Sequence, residues 1–233
     1  MVFSSITWDF NPEIFSIGNH GVRWYGVMFA LGFYLGYLIF KRYLRGDKLT
    51  IEMVDNLLIY IAIGAIVGAR LGHCLFYEPD YFLRNPLQIL FIWKGGLASH
   101  GGIIGLLLAL WLYIRKYKTP FLWLMDRIAI GVALANAFIR LGNFFNSEIY
   151  GLPTSLPWGV EFVRDRLYDS ATGELLPTVA RHPTQIYEAL SYFLIFLVSF
   201  FFYRKRNRDI RDGFIFSVSM IAQFSARFLI EFV

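Results

Sequence analysis

Cysteine is almost absent: Cys74 stands alone in 233 residues, so the sequence allows no internal disulfide and no cysteine-based metal cluster. Charge is scarce too, at 17% of residues, where soluble domains carry roughly a quarter. Disorder is excluded, because it requires much charge and few aromatics, whereas this chain holds 24 Phe, 14 Tyr and 6 Trp. No cleavable signal peptide is visible, since Asp9, Asn11, Pro12 and Glu13 interrupt any apolar stretch in the first 20 residues. Internal repeats and low-complexity tracts are missing, which weighs against an inverted-repeat transporter. What fills the chain is apolar matter, 57% of it. Cys74 reads as one more small buried hydrophobe. These features describe an all-α integral membrane protein, a polytopic helical bundle.

A spanning helix needs about 20 mostly apolar residues. Six stretches qualify as candidates: 22–40, 54–76, 97–114, 121–145, 184–203 and 213–232. The run 87–93 is too short to span and is expected to dip into the membrane or lie at its surface. Basic residues collect in alternate connections: Lys41, Arg42, Arg45 and Lys48 in loop 41–50, Arg115, Lys116 and Lys118 in loop 115–120, and Arg204, Lys205, Arg206, Arg208 and Arg211 in loop 204–212. The positive-inside rule puts these loops in the cytoplasm. The N-terminus, the 77–86 loop and the 146–183 segment then lie outside, and the net charge of +5 is mostly topology rather than a nucleic-acid signal. We expect one transmembrane domain over 1–233, with 146–183 as a turn-rich extracytoplasmic cap carrying a hairpin at 158–164 and 175–180. Its density of Pro, Gly and charge marks it as the mobile part. Gly32 and Gly36, then Gly64, Gly68 and Gly72, are spaced for close helix contact within the bilayer.

Four arginines fall within spans, where each needs a partner or a polar cavity: Arg70, Arg127, Arg140 and Arg227. Arg127 follows Asp126 near a cytoplasmic helix end and can snorkel there. Arg140 lies on a stripe with Asn136, Asn143 and Ser147; Arg70 shares a face with His73 and Tyr77; Gln223, Arg227 and Glu231 form a third face. Two readings stand open. Glu148, Glu188 and Glu231 could neutralise the arginines internally, or the guanidinium forks could form an anion site open to the outer leaflet, suited to a phospholipid phosphate. The run Lys94-Gly95-Gly96-Leu97-Ala98-Ser99-His100-Gly101-Gly102 reads as a helix break, tolerated at membrane depth only where protein or a wet cavity covers it. His100 has an imidazole suited to proton transfer at neutral pH. His182, before Pro183, reads as a helix-entry residue, and His20 and His73 carry weaker signals.

Five ordered motifs carry a resemblance. They are Arg23-Trp24-Tyr25-Gly26, Ser99-His100-Gly101-Gly102, the run from Arg140 to Gly151 (RLGNFFNSEIYG), Arg181-His182-Pro183-Thr184-Gln185-Ile186-Tyr187-Glu188, and Arg227-Phe-Leu-Ile-Glu231-Phe. Together they resemble the bacterial prolipoprotein diacylglyceryl transferase family over residues 11–232. The resemblance implies an enzyme of the bacterial cytoplasmic (inner) membrane, working in lipoprotein biosynthesis and protein lipidation. It would move the diacylglyceryl group of phosphatidylglycerol to the lipobox cysteine thiol of a preprolipoprotein, with a thioether formed and glycerol phosphate released. It further implies His100 as base, Arg140 and Arg227 as phosphate-binding arginines, and Tyr25, Asn143, Asn146, Glu148 and Gly151 as the lining. Partners would be phosphatidylglycerol, the lipobox and the bilayer, with no nucleic acid, no cofactor and no metal.

Two departures stand out. Gln223 occupies a position where the family has Tyr, and the family continues through a further C-terminal span beyond the point matching Val233. Two other functions compete: an intramembrane serine hydrolase built on Ser99 beside His100, and an anion or lipid transporter built on the arginines and the helix break.

Overall fold

Long apolar runs leave the backbone no water to bond with, so they satisfy their own amides as helices. The computed structural model describes residues 5–17, 20–46, 48–92, 95–165, 178–206 and 211–233. Its elements are strands β1 (Ile6–Trp8), β2 (Glu13–Ile17), β3 (His20–Arg23) and β4 (Val160–Phe162), and helices α1 (Trp24–Ile39), α2 (Ile51–Phe76), α3 (Pro79–Arg84), α4 (Ser99–Tyr117), α5 (Phe121–Phe145), α6 (Thr184–Arg206) and α7 (Phe214–Ile230). A π-helical turn, Phe40–Leu44, extends α1, and a 3-10 turn, Pro86–Leu90, follows α3. The protein is an all-helical, multi-pass membrane protein. Four helical segments of 21, 26, 25 and 22 residues are long and apolar enough to cross a bilayer: Trp24–Leu44, Ile51–Phe76, Phe121–Phe145 and Thr184–Lys205. Large side chains such as Phe76, Leu83, Leu87 and Phe224 stand outward, a shell that suits lipid and would aggregate in water.

Six helices form where six spans are expected, but two are weaker candidates. Helix α4 spends its first turn on Ser99, His100, Gly101 and Gly102 and its last on Arg115 and Lys116, and α7 has only 17 residues. Helices also run further than the charge pattern suggests. Lys41 and Arg42 sit in the π-turn, Arg115 and Lys116 in α4, and Arg204 and Lys205 in α6, because long basic side chains do not end a helix whose backbone bonds continue.

The chain forms two compact units, Phe40–Leu124 and the combination of Met1–Ile39 with Met125–Val233. In the first, α2 and α4 lie backbone to backbone. A methyl placed on Gly64 would sit 2.7 Å from the Gly105 carbonyl, and one on Gly72 would sit 2.6 Å from Gly101 Cα, so any side chain there would push the helices apart. Helix α2 starts at Thr50, whose hydroxyl accepts from the Met53 amide at 3.2 Å. Helix α4 ends on Lys118 in the left-handed conformation (φ 55°).

In the second unit, Gly32 and Gly36 of α1 meet Ala135 and Gly131 of α5 in the same close manner. Asp126 caps α7 from outside: its two carboxylate oxygens accept from the Gly213 and Phe216 amides, each at 2.8 Å, and so satisfy first-turn donors that no α7 side chain reaches. Arg127 is buried at 5% exposure with its guanidinium over the Tyr203 ring at 5.1 Å. That corrects the snorkelling expectation: an aromatic face takes the charge inside the protein.

The extramembrane layer is not made by 146–183 alone. β1, from the N-terminal segment, pairs in parallel with β4, Ile6 opposite Val160 and Trp8 opposite Phe162. Arg164 bonds Asp9 at 2.6 Å, and the Trp8 ring lies 4.4 Å from Phe144. Val160 also bridges Arg181 in antiparallel fashion. The proposed partner strand 175–180 is described only from residue 178, and Lys94, Arg166 and Arg208 likewise lie outside the described residues.

Candidate functional site

Helices α5, α6 and α7 each turn one polar row toward the others, and Glu188 of α6 is where the rows meet. Its side chain is wholly buried, at 0% exposure. Arg140 Nε bonds Glu188 Oε2 at 2.8 Å, Arg227 Nη1 bonds Oε1, and the Tyr192 hydroxyl donates to Oε2 at 2.8 Å. A buried carboxylate is tolerable only when paired and fully bonded, and this one is. The far end of the Arg227 fork, Nη2, holds Glu231 at 2.7 Å, and Glu231 is 64% exposed. The two arginines are therefore aimed by a buried anion, while the outer partner of Arg227 is a surface carboxylate that can exchange cheaply. Glu188 and Glu231 pair with the arginines, as the internal-neutralisation reading expects, while Glu148 bonds Asn143 and Asn146 instead; the Arg140 and Arg227 side chains keep 20% and 36% exposure.

The network continues along the α5 stripe. Arg140 Nη1 donates to Asn143 Oδ1 at 3.3 Å, and Asn143 Nδ2 donates to Glu148 Oε1 at 2.8 Å. Asn146 Nδ2 reaches the same oxygen at 3.3 Å. One turn earlier, Asn136 donates to Gln223 Oε1 at 2.8 Å, and Gln223 Nε2 donates to Ser219 Oγ at 3.1 Å. Gln223 is thus a buried link between α5 and α7.

Past α5 the backbone is strained on purpose. Ser147 and Ile149, either side of Glu148, both have φ of 57°. For β-branched Ile149 the left-handed region is a genuine outlier, costing about 1–2 kcal/mol. The start of α6 holds the loop in this shape: Thr184 Oγ1 donates to the Ile149 carbonyl at 3.1 Å and Gln185 Nε2 to the Glu148 carbonyl at 2.8 Å. Strain that the surroundings over-determine is characteristic of binding and reacting sites. Gly151 follows, its amide donating to the His182 carbonyl at 2.9 Å, and a methyl on it would lie 2.6 Å from Thr184 Cγ2. Tyr25, near the start of α1, packs on Gly142 between Arg140 and Asn143. Tyr150 donates its hydroxyl to Asp165, and burial, then that bond, push its pKa up to about 12.

His100 belongs to the other unit. It stands in the first turn of α4, exposed, its ring edge-on to Phe76 at 5.5 Å and tilted against Tyr77 at 5.8 Å. An apolar groove of about 510 Å³ runs along α2 and α4 and ends at Phe76 and Gly101, beside this ring. The expected helix break before it is real. Gly95 and Gly96 turn the chain with φ of 86° and 73°, and Ala98 then bonds the Ala69 carbonyl at 2.9 Å. Arg70 holds that turn. Its guanidinium donates to the carbonyls of Ile89 (2.9 Å), Gly95 (2.5 Å), Gly96 (3.1 Å) and Gln88 (2.7 Å). Arg70 is therefore a backbone staple rather than a member of an anion site. Ser99 precedes His100 in the same helix, and adjacent helical residues point apart, so the serine-hydrolase pairing lacks its geometry.

Of the residues expected from the sequence, Arg140, Arg227, Asn143, Asn146 and Glu148 come together in one hydrogen-bonded network, with Tyr25 and Gly151 packed against its elements. Glu188 was expected only as a counter-ion, yet it is the centre. Gln185 and Tyr192 were not singled out, although Gln185, Glu188 and Tyr192 stand at i, i+3 and i+7, one face of α6.

The family profile described as prolipoprotein diacylglyceryl transferase matches residues 12–233. A phosphatidylglycerol–prolipoprotein diacylglyceryl transferase of Tolumonas auensis is 48% identical over 226 residues, 97% of this chain and 83% of that protein. The proteins of the same name from Porphyromonas gingivalis and Chloroherpeton thalassium are 46% and 43% identical, over 97% and 98% of this chain and 80% and 82% of theirs.

Proposed function

The chain belongs to the prolipoprotein diacylglyceryl transferase family, and we propose that it transfers the diacylglyceryl group of phosphatidylglycerol to the lipobox cysteine of a preprolipoprotein. The observation that carries this reading is the Arg140–Glu188–Arg227 cluster: two guanidinium groups aimed by one buried carboxylate, at helix ends rather than in a packed core. Such a pair suits a phosphodiester, and it holds the charge that grows on the phosphate as it leaves.

In the proposed step the peptide thiol loses its proton to His100, and the thiolate attacks the diacylglyceryl carbon bonded to the phosphate ester oxygen. The new S–C bond forms as that C–O bond breaks, and glycerol phosphate departs with both bonding electrons. A free thiol has a pKa near 8.5, so a base raises the reactive fraction at neutral pH. Arg140 and Arg227 bind the phosphate; the strained loop around Glu148, with Asn143, Asn146, Gly151 and Tyr25, shapes the lining. The charge pattern supports an orientation with the β-strand layer outside and the basic connections 41–50, 115–120 and 204–212 in the cytoplasm, in a bacterial inner membrane.

The test is mass spectrometry of a lipobox peptide incubated with the purified protein and phosphatidylglycerol. A gain of one diacylglyceryl unit is expected, lost in His100→Ala and Arg140→Ala variants that remain folded. An unmodified peptide with active lipid in hand, or full turnover by both variants, would overturn the assignment.

A further inference from the structure

Two acceptors in the shell around Glu148 have no part in the step just described. The Gln185 side chain is fully buried, its Nε2 donates to the Glu148 carbonyl at 2.8 Å, and its Oε1 meets no donor among the described residues. Asn146 repeats the pattern, with Nδ2 on the Glu148 carboxylate at 3.3 Å and a buried Oδ1 that meets no donor. Turning either amide over would set its oxygen against a Glu148 oxygen, so Glu148 fixes both orientations. Among the described residues four buried side-chain atoms lack a partner, and two of them belong to this one shell. A buried acceptor without a donor in the chain is costly to keep, so each calls for a donor from outside it, a bound water or a ligand hydroxyl.

We infer that Gln185 Oε1, assisted by Asn146 Oδ1, accepts a hydrogen bond from a hydroxyl of the glycerol headgroup of phosphatidylglycerol. This rests on the reading of Arg140 and Arg227 as the phosphate grip. Asn143 joins the two parts: it accepts from Arg140 and donates to Glu148. A phosphatidylglycerol phosphodiester carries its headgroup hydroxyls on the second and third carbons past the ester oxygen, so with the phosphate on Arg140 a short polar arm would bridge to the Glu148 shell that Asn143 joins to it. The acceptors are neutral amides, which match a neutral O–H donor. A site built to bond a hydroxyl discriminates strongly against an analogue without it. Gln185 is then a specificity determinant for the headgroup, and the Glu148 loop positions it.

The experiment compares phosphatidylglycerol with chain-matched phosphatidylpropanol, which keeps the phosphodiester and lacks both hydroxyls. The wild-type protein is expected to favour phosphatidylglycerol by on the order of tenfold or more in kcat/KM for the lipid. Gln185→Met, close in shape and without the acceptor, is expected to bring that ratio within about threefold. Equilibrium binding of short-chain forms of the two lipids reads the same ratio without turnover, so failure of the transferase reading (no thioether product from phosphatidylglycerol) is distinguished from failure of this one. Equal use and equal binding of the two lipids by the wild-type protein would mean that the acceptors hold water only, and would overturn the inference even if Gln185→Met did not fold. A Gln185→Met protein that keeps the lipid ratio but raises KM for the peptide would assign the donor to the peptide, and would overturn it too.

Discussion

Replacing Glu188 by Gln removes the charge that aims both arginines while keeping the shape of the side chain. Glu188 accepts three hydrogen bonds, two of them from guanidinium groups. Stranding one partner of a buried ion pair costs about 3–5 kcal/mol. Arg140 and Arg227 keep 20% and 36% of their side-chain exposure, so water relieves part of this, and a loss of about 2–3 kcal/mol is expected. In a chain of this size that lowers the melting midpoint by roughly 5–10 °C. Transfer should suffer more, because displacing one preorganised donor from a developing oxyanion costs about 10²–10³ in rate. Glu231→Gln is the matched control. It touches the same arginine, but Glu231 is 64% exposed, and a surface pair contributes about 0–1 kcal/mol. Thermal denaturation in detergent and the mass-spectrometric transfer assay read both variants. Glu188→Gln should fall far below Glu231→Gln in each. Transfer by Glu188→Gln at or above the wild-type rate would mean that the carboxylate competes with phosphate rather than aiming its receptors.

Three further perturbations act on the Arg70 turn, the strained loop and Tyr150. Arg70→Lys replaces a planar fork by a single ammonium that cannot reach Gln88 and Gly95 together; amide exchange over 87–92 and 95–98 should speed up while α5, α6 and α7 keep their protection, and unchanged exchange would show that the staple is dispensable. Ile149→Gly removes the left-handed penalty at φ 57° and should stabilise the fold by about 1 kcal/mol, seen as a raised melting midpoint; a lowered midpoint would contradict the strain. Tyr150 is held neutral by burial and then Asp165, with its pKa raised to about 12, so its contribution to stability is complete below its ordinary value near 10 and is lost as pH climbs from about 10 through about 12. Phenolate absorbance should show this late titration in the wild-type protein and not in Tyr150→Phe, and wild-type stability should decline across that window more steeply than the variant's.

The helices were legible in the sequence because apolar length is a local property, and so was the close packing at Gly64, Gly68 and Gly72. The partner was not: nothing in those glycines names Gly101 and Gly105 of α4 rather than the glycine pair of α1. Arg140 and Arg227 announced themselves by being charged where charge is costly. Arg70 announced itself in the same way, but its partners are main-chain carbonyls, which carry no residue signature, so its structural role became visible only in three dimensions. Backbone strain at Ser147 and Ile149 leaves no mark on residue type, and isoleucine argues against it. The β1–β4 pair joins strands about 150 residues apart through three residue pairs, too few to produce a periodic pattern. Gln185 lay inside a recognised motif, but its function depends on which end of an amide is satisfied, and sequence does not encode that.

In the proposed transfer the bond broken lies between the diacylglyceryl carbon and the phosphate oxygen, with the arginine pair holding the phosphate as it departs. Phosphatidylglycerol carrying ¹⁸O at that bridging position tests it in one incubation with a lipobox peptide. One thioether-linked diacylglyceryl peptide is expected for each glycerol phosphate released, with all of the label in the glycerol phosphate. Label recovered in free diacylglycerol, with the peptide unmodified, would mean hydrolysis at phosphorus and would contradict it.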